Sequence, residues 1–215
     1  MEACWLTVRS IVRVLQDSTR TEDLLIAEQT TSQAAFRQAV RRMRQSDAGR
    51  ALLAERPEII PSQVDYAALR QLPIETLGGA YVRHLDRNGL SPDVFAAPNP
   101  YVSDPDVDYL LRRYRQSHDV WHALTSLGAQ PHEEVVIHAF TFAQLHLPYS
   151  VLIVALGGIK HLVLEGRWAT LSHSLALSYV AGRRAAYLLN VRWEDHWAEP
   201  IAAVRHRYGI VPFRA

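Results

Sequence analysis

The sequence predicts an all-α fold, a single-domain multi-helix bundle organised around one helical hairpin, on three observations. Apolar residues recur at helical spacing at Phe36, Val40 and Met43, and again at Val107, Leu111, Tyr114 and Trp121. The period-two alternation of half-buried strands is scarce. No repeat, low-complexity tract or clear linker divides the 215 residues, a length that suits one well-filled core and is short for two. One domain over residues 1–215 is therefore expected.

The elements follow in order. Trp5, Val8, Val12 and Leu15 predict a short amphipathic helix with Arg9 and Arg13 off the apolar line. A second helix is expected to begin at Ser32, its stripe formed by Phe36, Val40 and Met43. Its other face carries Arg37, Arg41, Arg42 and Arg44, either an ordinary solvated face or one drawn to anionic lipid head groups. Residues 47–55 predict a third helix that stops before Pro57. Residues 65–69 and 77–86 read as two more short helices, 88–92 as a turn, and 95–101 as an irregular connection. Residues 149–156 form a helix expected to break at Gly157-Gly158. Residues 169–190 read as a long, mostly apolar helix, and a last helix is expected from Trp193 through Tyr208.

Composition excludes several classes. Formal net charge is +1, which gives no general field for nucleic acid. Lys160 is the only lysine, and Cys4 the only cysteine, so neither an intrachain disulfide nor a cysteine-based zinc site is available. The longest apolar run, residues 147–159, contains Pro148 and the glycine pair and is too short to span a bilayer. The N-terminus shows no secretory pattern, and its Glu2, Asp17, Glu22 and Asp23 argue against a cleaved transit peptide. The expectation is a bacterial protein or a mature form, cytoplasmic or peripheral at the inner face of the membrane.

The chemistry concentrates between His118 and Glu134. The stretch reads His118-Asp119-Val120-Trp121-His122, then eleven residues, then Glu134. The two histidines are four apart, so on a helix they share one face a single turn apart. Ser103-Asp104-Pro105-Asp106 is a strong helix start. Gly128 is expected to end that helix, and Pro131 to open the next. His122 lies six residues before Gly128 and Glu134 six after, so an antiparallel hairpin brings them together. Two imidazoles, an aspartate and a glutamate make a mixed N/O set suited to one divalent ion such as Zn, Fe or Mn.

At these residues the chain resembles the fourth Coq protein family of ubiquinone (coenzyme Q) biosynthesis. That family carries H-D-x-x-H, eleven residues, then E, matched by His118, Asp119, His122 and Glu134. The resemblance extends to Leu53-Ala54-Glu55-Arg56-Pro57, Leu77-Gly78 with Tyr81, Ser91-Pro92-Asp93 and Arg113-Tyr114-Arg115. It continues through Gln144, Leu147-Pro148 and Gly182-Arg183-Arg184-Ala185. A Lys and an acidic residue usual after the metal glutamate are His138 and Thr141 here, and His146 stands where the family often has Gly.

The resemblance implies a metal at the four motif residues and a polyprenyl lipid or prenylated phenol as ligand. It implies either oxidative decarboxylation and hydroxylation of the quinone-precursor ring or a non-catalytic scaffold for a biosynthetic complex. Val151, Leu152, Val154, Leu156, Leu171, Leu175, Leu177 and Tyr179 are candidates to line an apolar cavity for the tail, or are simply core. Arg183 and Arg184 are candidates for a phosphate or carboxylate head group, or for pairing with Glu194. Exposed apolar faces point to a homodimer or a membrane-associated complex with other quinone-biosynthesis proteins. Two hydrolase readings compete: a zinc-peptidase-like HDxxH, and a phosphohydrolase set of His84, His118, Asp119 and Asp195. Spacing and unused ligands weigh against both.

Overall fold

Burial is heaviest on the helix that carries the two histidines, and the rest of the chain is arranged to cover it. The computed structural model describes residues 21–93, 99–165 and 168–213. Among them are nine α-helices and no strand. They are α1 (Thr21–Met43), α2 (Asp47–Glu55), α3 (Tyr66–Gln71), α4 (Leu77–Asn88) and α5 (Pro105–Thr125). The others are α6 (Pro131–Leu145), α7 (Pro148–Glu165), α8 (Trp168–Arg184) and α9 (Ile201–Tyr208). The all-α single domain is as expected. The predicted helix at residues 5–15 and most of the connection at 95–101 lie outside the described residues.

Local chemistry starts these helices where the sequence says it should. Asp104 accepts from the amides of Asp106 and Val107 at 2.9 and 3.3 Å, and Pro105 supplies the first turn of α5. Ser46, Asp65 and Thr76 cap α2, α3 and α4 in the same way, each accepting from an amide three residues on. The short helices are thus defined by their caps as much as by their apolar faces.

Helix α5 is central. Phe36 of α1 meets Tyr114 with ring centroids 5.7 Å apart, and Trp121 packs edge-on to Phe140 of α6 at 6.0 Å. Its polar side chains are buried with partners. The Arg113 guanidinium, 1% exposed, donates two bonds to Glu194, at 2.6 and 2.8 Å, and a third to the Val191 carbonyl. Arg115 pairs with Glu28 at 2.6 Å and Asn99 at 2.8 Å. Bidentate geometry is what makes such burial tolerable for a cation.

Several boundaries differ from expectation. Helix α1 begins at Thr21, not Ser32; Ser32 is buried within it, where its hydroxyl accepts from the Tyr149 amide at 3.4 Å. Helix α5 ends at Ser126, which adopts the left-handed conformation (φ 61°), and Gly128 lies in the turn beyond. Helix α7 runs through Gly157-Gly158 without a break. A Cβ at Gly157 would lie 2.1 Å from Val135 Cγ2, so this glycine serves the close approach of α7 to α6. Gly182 does the same for α8, where a Cβ would lie 2.6 Å from the Phe140 carbonyl oxygen.

The expected helix over 169–190 stops at Arg184. The next amides go elsewhere, Ala186 to the Tyr208 carbonyl and Leu188 to Gln144 Oε1. A separate 3-10 turn follows at Leu188–Asn190. The expected last helix is two pieces, a 3-10 turn at Trp193–His196 and α9, split before Pro200. Between them the carbonyls of Trp197 and Glu199 accept the first amides of α4, from Gly78 and Leu77.

Three substitutions test this packing. Glu194→Ala leaves the Arg113 cation buried without its carboxylate and should cost about 3 kcal/mol in urea unfolding. Arg44→Ala, which removes an exposed pair with Asp106, should cost under about 1 kcal/mol. Gly157→Val should force α7 away from α6 and lower stability by about 1–3 kcal/mol in the same assay.

Candidate metal centre

The turn between α5 and α6 sets the site. The left-handed Ser126 directs its N–H back to the His122 carbonyl. The Glu133 carboxylate then accepts the amides of Gly128, at 2.7 Å, and Gln130, at 3.1 Å. One of two adjacent carboxylates is thereby spent on the turn. The other, Glu134, faces α5.

Three side chains converge there. His118 Nε2 and His122 Nε2 are 3.2 Å apart. Glu134 Oε2 is 3.5 Å from the first, and Oε1 is 3.3 Å from the second. Ligand atoms about 2.0–2.2 Å from a shared tetrahedral ion lie about 3.3–3.6 Å from one another; each histidine meets a different Glu134 oxygen at that spacing, and one ligand atom from each of the three residues lies within 4.8 Å of the others. Orientation agrees. His122 Nδ1 lies 3.3 Å from the Leu127 carbonyl, which can only accept, so Nδ1 carries the hydrogen and Nε2 presents its lone pair. The three residues are the one cluster of this kind among the described residues, and they could hold a metal ion.

Asp119 is not brought into that cluster. It is buried one position along α5, and burial, with the Glu134 charge adding and His122 opposing, pushes its carboxyl up to about 7. For Glu134, burial acts upward too, but with no ion shared and the two imidazoles protonated, hydrogen bonds and charge from His118 and His122 outweigh it and hold the carboxyl well below its usual range.

Two histidines outside the motif complete the surroundings. The His84 ring of α4 stacks on His122, with centroids 4.9 Å apart and planes 20° from parallel. His138, one turn beyond Glu134, lies 5.4 Å from His118, and its Nδ1 is 3.2 Å from the Ser150 hydroxyl. Burial, reinforced by the histidines of the triad, lowers His84 to about 4 and His138 to about 3. The spacing of His138 four residues after Glu134 marked it for the same face, and His84 sits in the inward stripe of α4 with Leu77, Tyr81 and Leu85. Those were the available signals.

The proposed tail residues are divided. Leu171 is buried against Val135 and Val136, and Val154 and Leu175 pack on that small cluster. Leu152 and Leu156 are half-buried, and Val151 and Tyr179 are exposed. A groove of about 680 Å³ does run beside the hairpin turn, lined by Leu127, Val136, Leu177, Val180 and Phe213, with Arg184 at its wall. Arg183 is exposed outside it, and Glu194 is engaged by Arg113, not by either of these arginines. Asp195 lines a different groove with Leu52 and Tyr187, so the phosphohydrolase set is not assembled. Of the arginines on α1, Arg44 pairs with Asp106, and the Arg42 guanidinium lies 3.8 Å over the Tyr187 ring. No described helix is long and apolar enough to cross a membrane.

The family model described as coenzyme Q (ubiquinone) biosynthesis protein Coq4 matches residues 1–214. The chain belongs to this family. It is 32% identical over 207 residues to the mitochondrial ubiquinone biosynthesis protein COQ4 homolog of Xenopus tropicalis, covering 96% of this chain and 73% of that one. It is 33% identical over 205 residues to the homolog of Bos taurus, covering 95% and 77%. The fold matches a crystal structure of a candidate ubiquinone biosynthesis protein from Nostoc punctiforme, with TM-score 0.76, 24% identity and coverage of 94% and 96%. The chain accordingly has a role in coenzyme Q biosynthesis.

The geometry separates ligand from neighbour. His122→Ala and Glu134→Gln should each weaken Zn²⁺ binding on the order of 100-fold or more in competition with a chromophoric chelator. Asp119→Asn should cost about 10-fold, the scale of a group that orients a site without ligating. A loss at Asp119 equal to that at His122 would make it a ligand.

Proposed function

We propose that this Coq4 family member binds one divalent ion through His118, His122 and Glu134, with Asp119 beside them, and holds a prenylated phenol next to it for a ring-modifying step of ubiquinone biosynthesis. The convergence of three ligand atoms across the α5–α6 turn carries the reading. The ion is Zn, Fe or Mn, all compatible with a mixed nitrogen and oxygen set. When bound, it supplies a Lewis acid able to orient phenol and carboxylate oxygens. The residues do the rest. The neutral imidazoles and the ionised Glu134 hold the ion, and the rings of Tyr114 and His138 beside His118 shape the approach to it.

The groove beside the turn supports a place for the tail. Leu127 contributes its carbonyl to His122 and its side chain to the groove, so an apolar chain seated there would lie against the backbone that fixes a ligand. Arg184, which lines the groove wall, suits an anionic head group better than Arg183, which does not line it. The step we favour is oxidative decarboxylation and hydroxylation of the ring, in which the bond from ring carbon to carboxylate breaks to release carbon dioxide, a C–O bond forms at that carbon, and an added two-electron oxidant of the dioxygen or peroxide class supplies the oxygen.

A second reading, a lipid-binding scaffold in a complex with other quinone-biosynthesis proteins, draws on the exposed Leu177, Tyr179 and Val180 of α8. The same surface suits a homodimer or peripheral contact with a membrane.

Native mass spectrometry of the purified protein, with metal analysis and incubation with a carboxylated prenylated phenol, tests the proposal. One ion and one prenylated phenol per chain are expected. Leu177→Arg should abolish lipid binding and keep the metal. His118→Ala should abolish turnover, read as release of carbon dioxide, and keep the lipid. Lipid retention with no turnover by the wild type would leave the scaffold reading.

A further inference from the structure

Two buried ring nitrogens at the centre have no hydrogen-bond partner, Nδ1 of the motif residue His118 and Nε2 of His84, which the motif does not include. His84 belongs to α4, 34 positions before the first motif histidine, and is only 8% exposed. Its Nδ1 lies 3.4 Å from Asn88 Nδ2, the same amide nitrogen that donates to the His84 carbonyl at 2.8 Å. That carbonyl contact fixes the amide as the donor, so His84 Nδ1 accepts. With Nδ1 accepting, the ring is the neutral tautomer that carries its hydrogen on Nε2. Nε2 is buried and has no hydrogen-bond partner in the protein. Burying an N–H donor without an acceptor is costly, and native structures rarely do so without a reason.

The placement of the ring supplies the reason. His84 stacks on His122, whose Nε2 is one of the three converging ligand atoms. It does not join the group within 4.8 Å that could ligate directly. Three protein ligands leave a tetrahedral ion one further position. A buried, unpartnered N–H donor on a ring stacked against a ligand histidine favours an occupant of that position that accepts a hydrogen bond, an anion above all.

We infer that His84 is a ligand-positioning residue, whose Nε2–H donates to an anionic group held at the centre formed by His118, His122 and Glu134. The inference rests on the metal reading above and deepens it. It assigns the centre a preference for anionic, acceptor-bearing ligands and names the side chain that enforces it. Phe at this position would keep the stack on His122 and remove the donor.

The test uses the full chain loaded with Co²⁺, whose visible absorption reports coordination, and azide as the anionic probe. His84→Phe should bind Co²⁺ within about threefold of wild type and bind azide at least about tenfold more weakly, the scale of outer-shell partners. His84→Gln, which retains an N–H donor, should recover part of that affinity and guards against a fold defect peculiar to Phe. Equal azide affinity in wild type and His84→Phe would overturn the inference, as would a wild type that binds Co²⁺ but not azide. Loss of Co²⁺ itself in both variants would make His84 a ligand and overturn the positioning role. A wild type that binds no Co²⁺ would instead sink the metal reading beneath it.

Discussion

Two imidazole nitrogens and a carboxylate, with ligand atoms within 4.8 Å of one another, are the constraint around which this molecule is arranged. Two imidazole lone pairs and a carboxylate do not gather without either a shared proton or a shared cation. Holding them there requires a rigid hairpin, and the chain supplies one. The left-handed Ser126 ends α5, the Glu133 carboxylate gathers two turn amides, and the Leu127 carbonyl orients His122. From the far side, α7 and α8 press on α6 at Gly157 and Gly182, where backbone and side chain approach closer than any Cβ allows.

The same central helix carries a second set of demands. Arg113 and Arg115 are buried in α5 and reach Glu194 and Glu28, which come from distant parts of the chain. Each pair ties α5 to a different segment, one beyond α8 and one in α1. Breaking such a pair costs more than forming it contributes, because the remaining charge is stranded. The arrangement therefore specifies where the outer helices dock, and so fixes the scaffold on which the histidines sit.

Much of this was legible in the sequence because it is local. Asp104-Pro105 opens a helix for reasons confined to one turn, and His118 and His122 share a face because helices repeat every 3.6 residues. Glu134 follows from a short antiparallel connection. What was not legible depends on partners far along the chain. Gly157-Gly158 reads as a break until Val135 is seen against it. Ser32 reads as a cap until its hydroxyl is seen accepting from Tyr149. Gly128 is the better helix terminator by propensity, yet the Glu133 clamp occupies it and Ser126 takes the left-handed role. Asp119 belongs to the motif, but its position one residue from His118 turns it away from the face that His118 and His122 share. His84 lies outside the HDxxH motif, and only the packing of α4 on α5 brings it to His122.

The family, the fold and the hairpin thus meet at one place, where a histidine pair and a glutamate face each other beside an apolar groove. The central claim is that these atoms form a metal centre. X-ray absorption spectroscopy on the zinc-loaded protein tests it most directly. The account predicts one tightly held ion with a first shell of nitrogen and oxygen at about 2.0–2.2 Å and the outer-shell scattering of two imidazoles. An ion surrounded only by water oxygens, without imidazole scattering, would contradict it, as would a protein that retains no zinc after gel filtration.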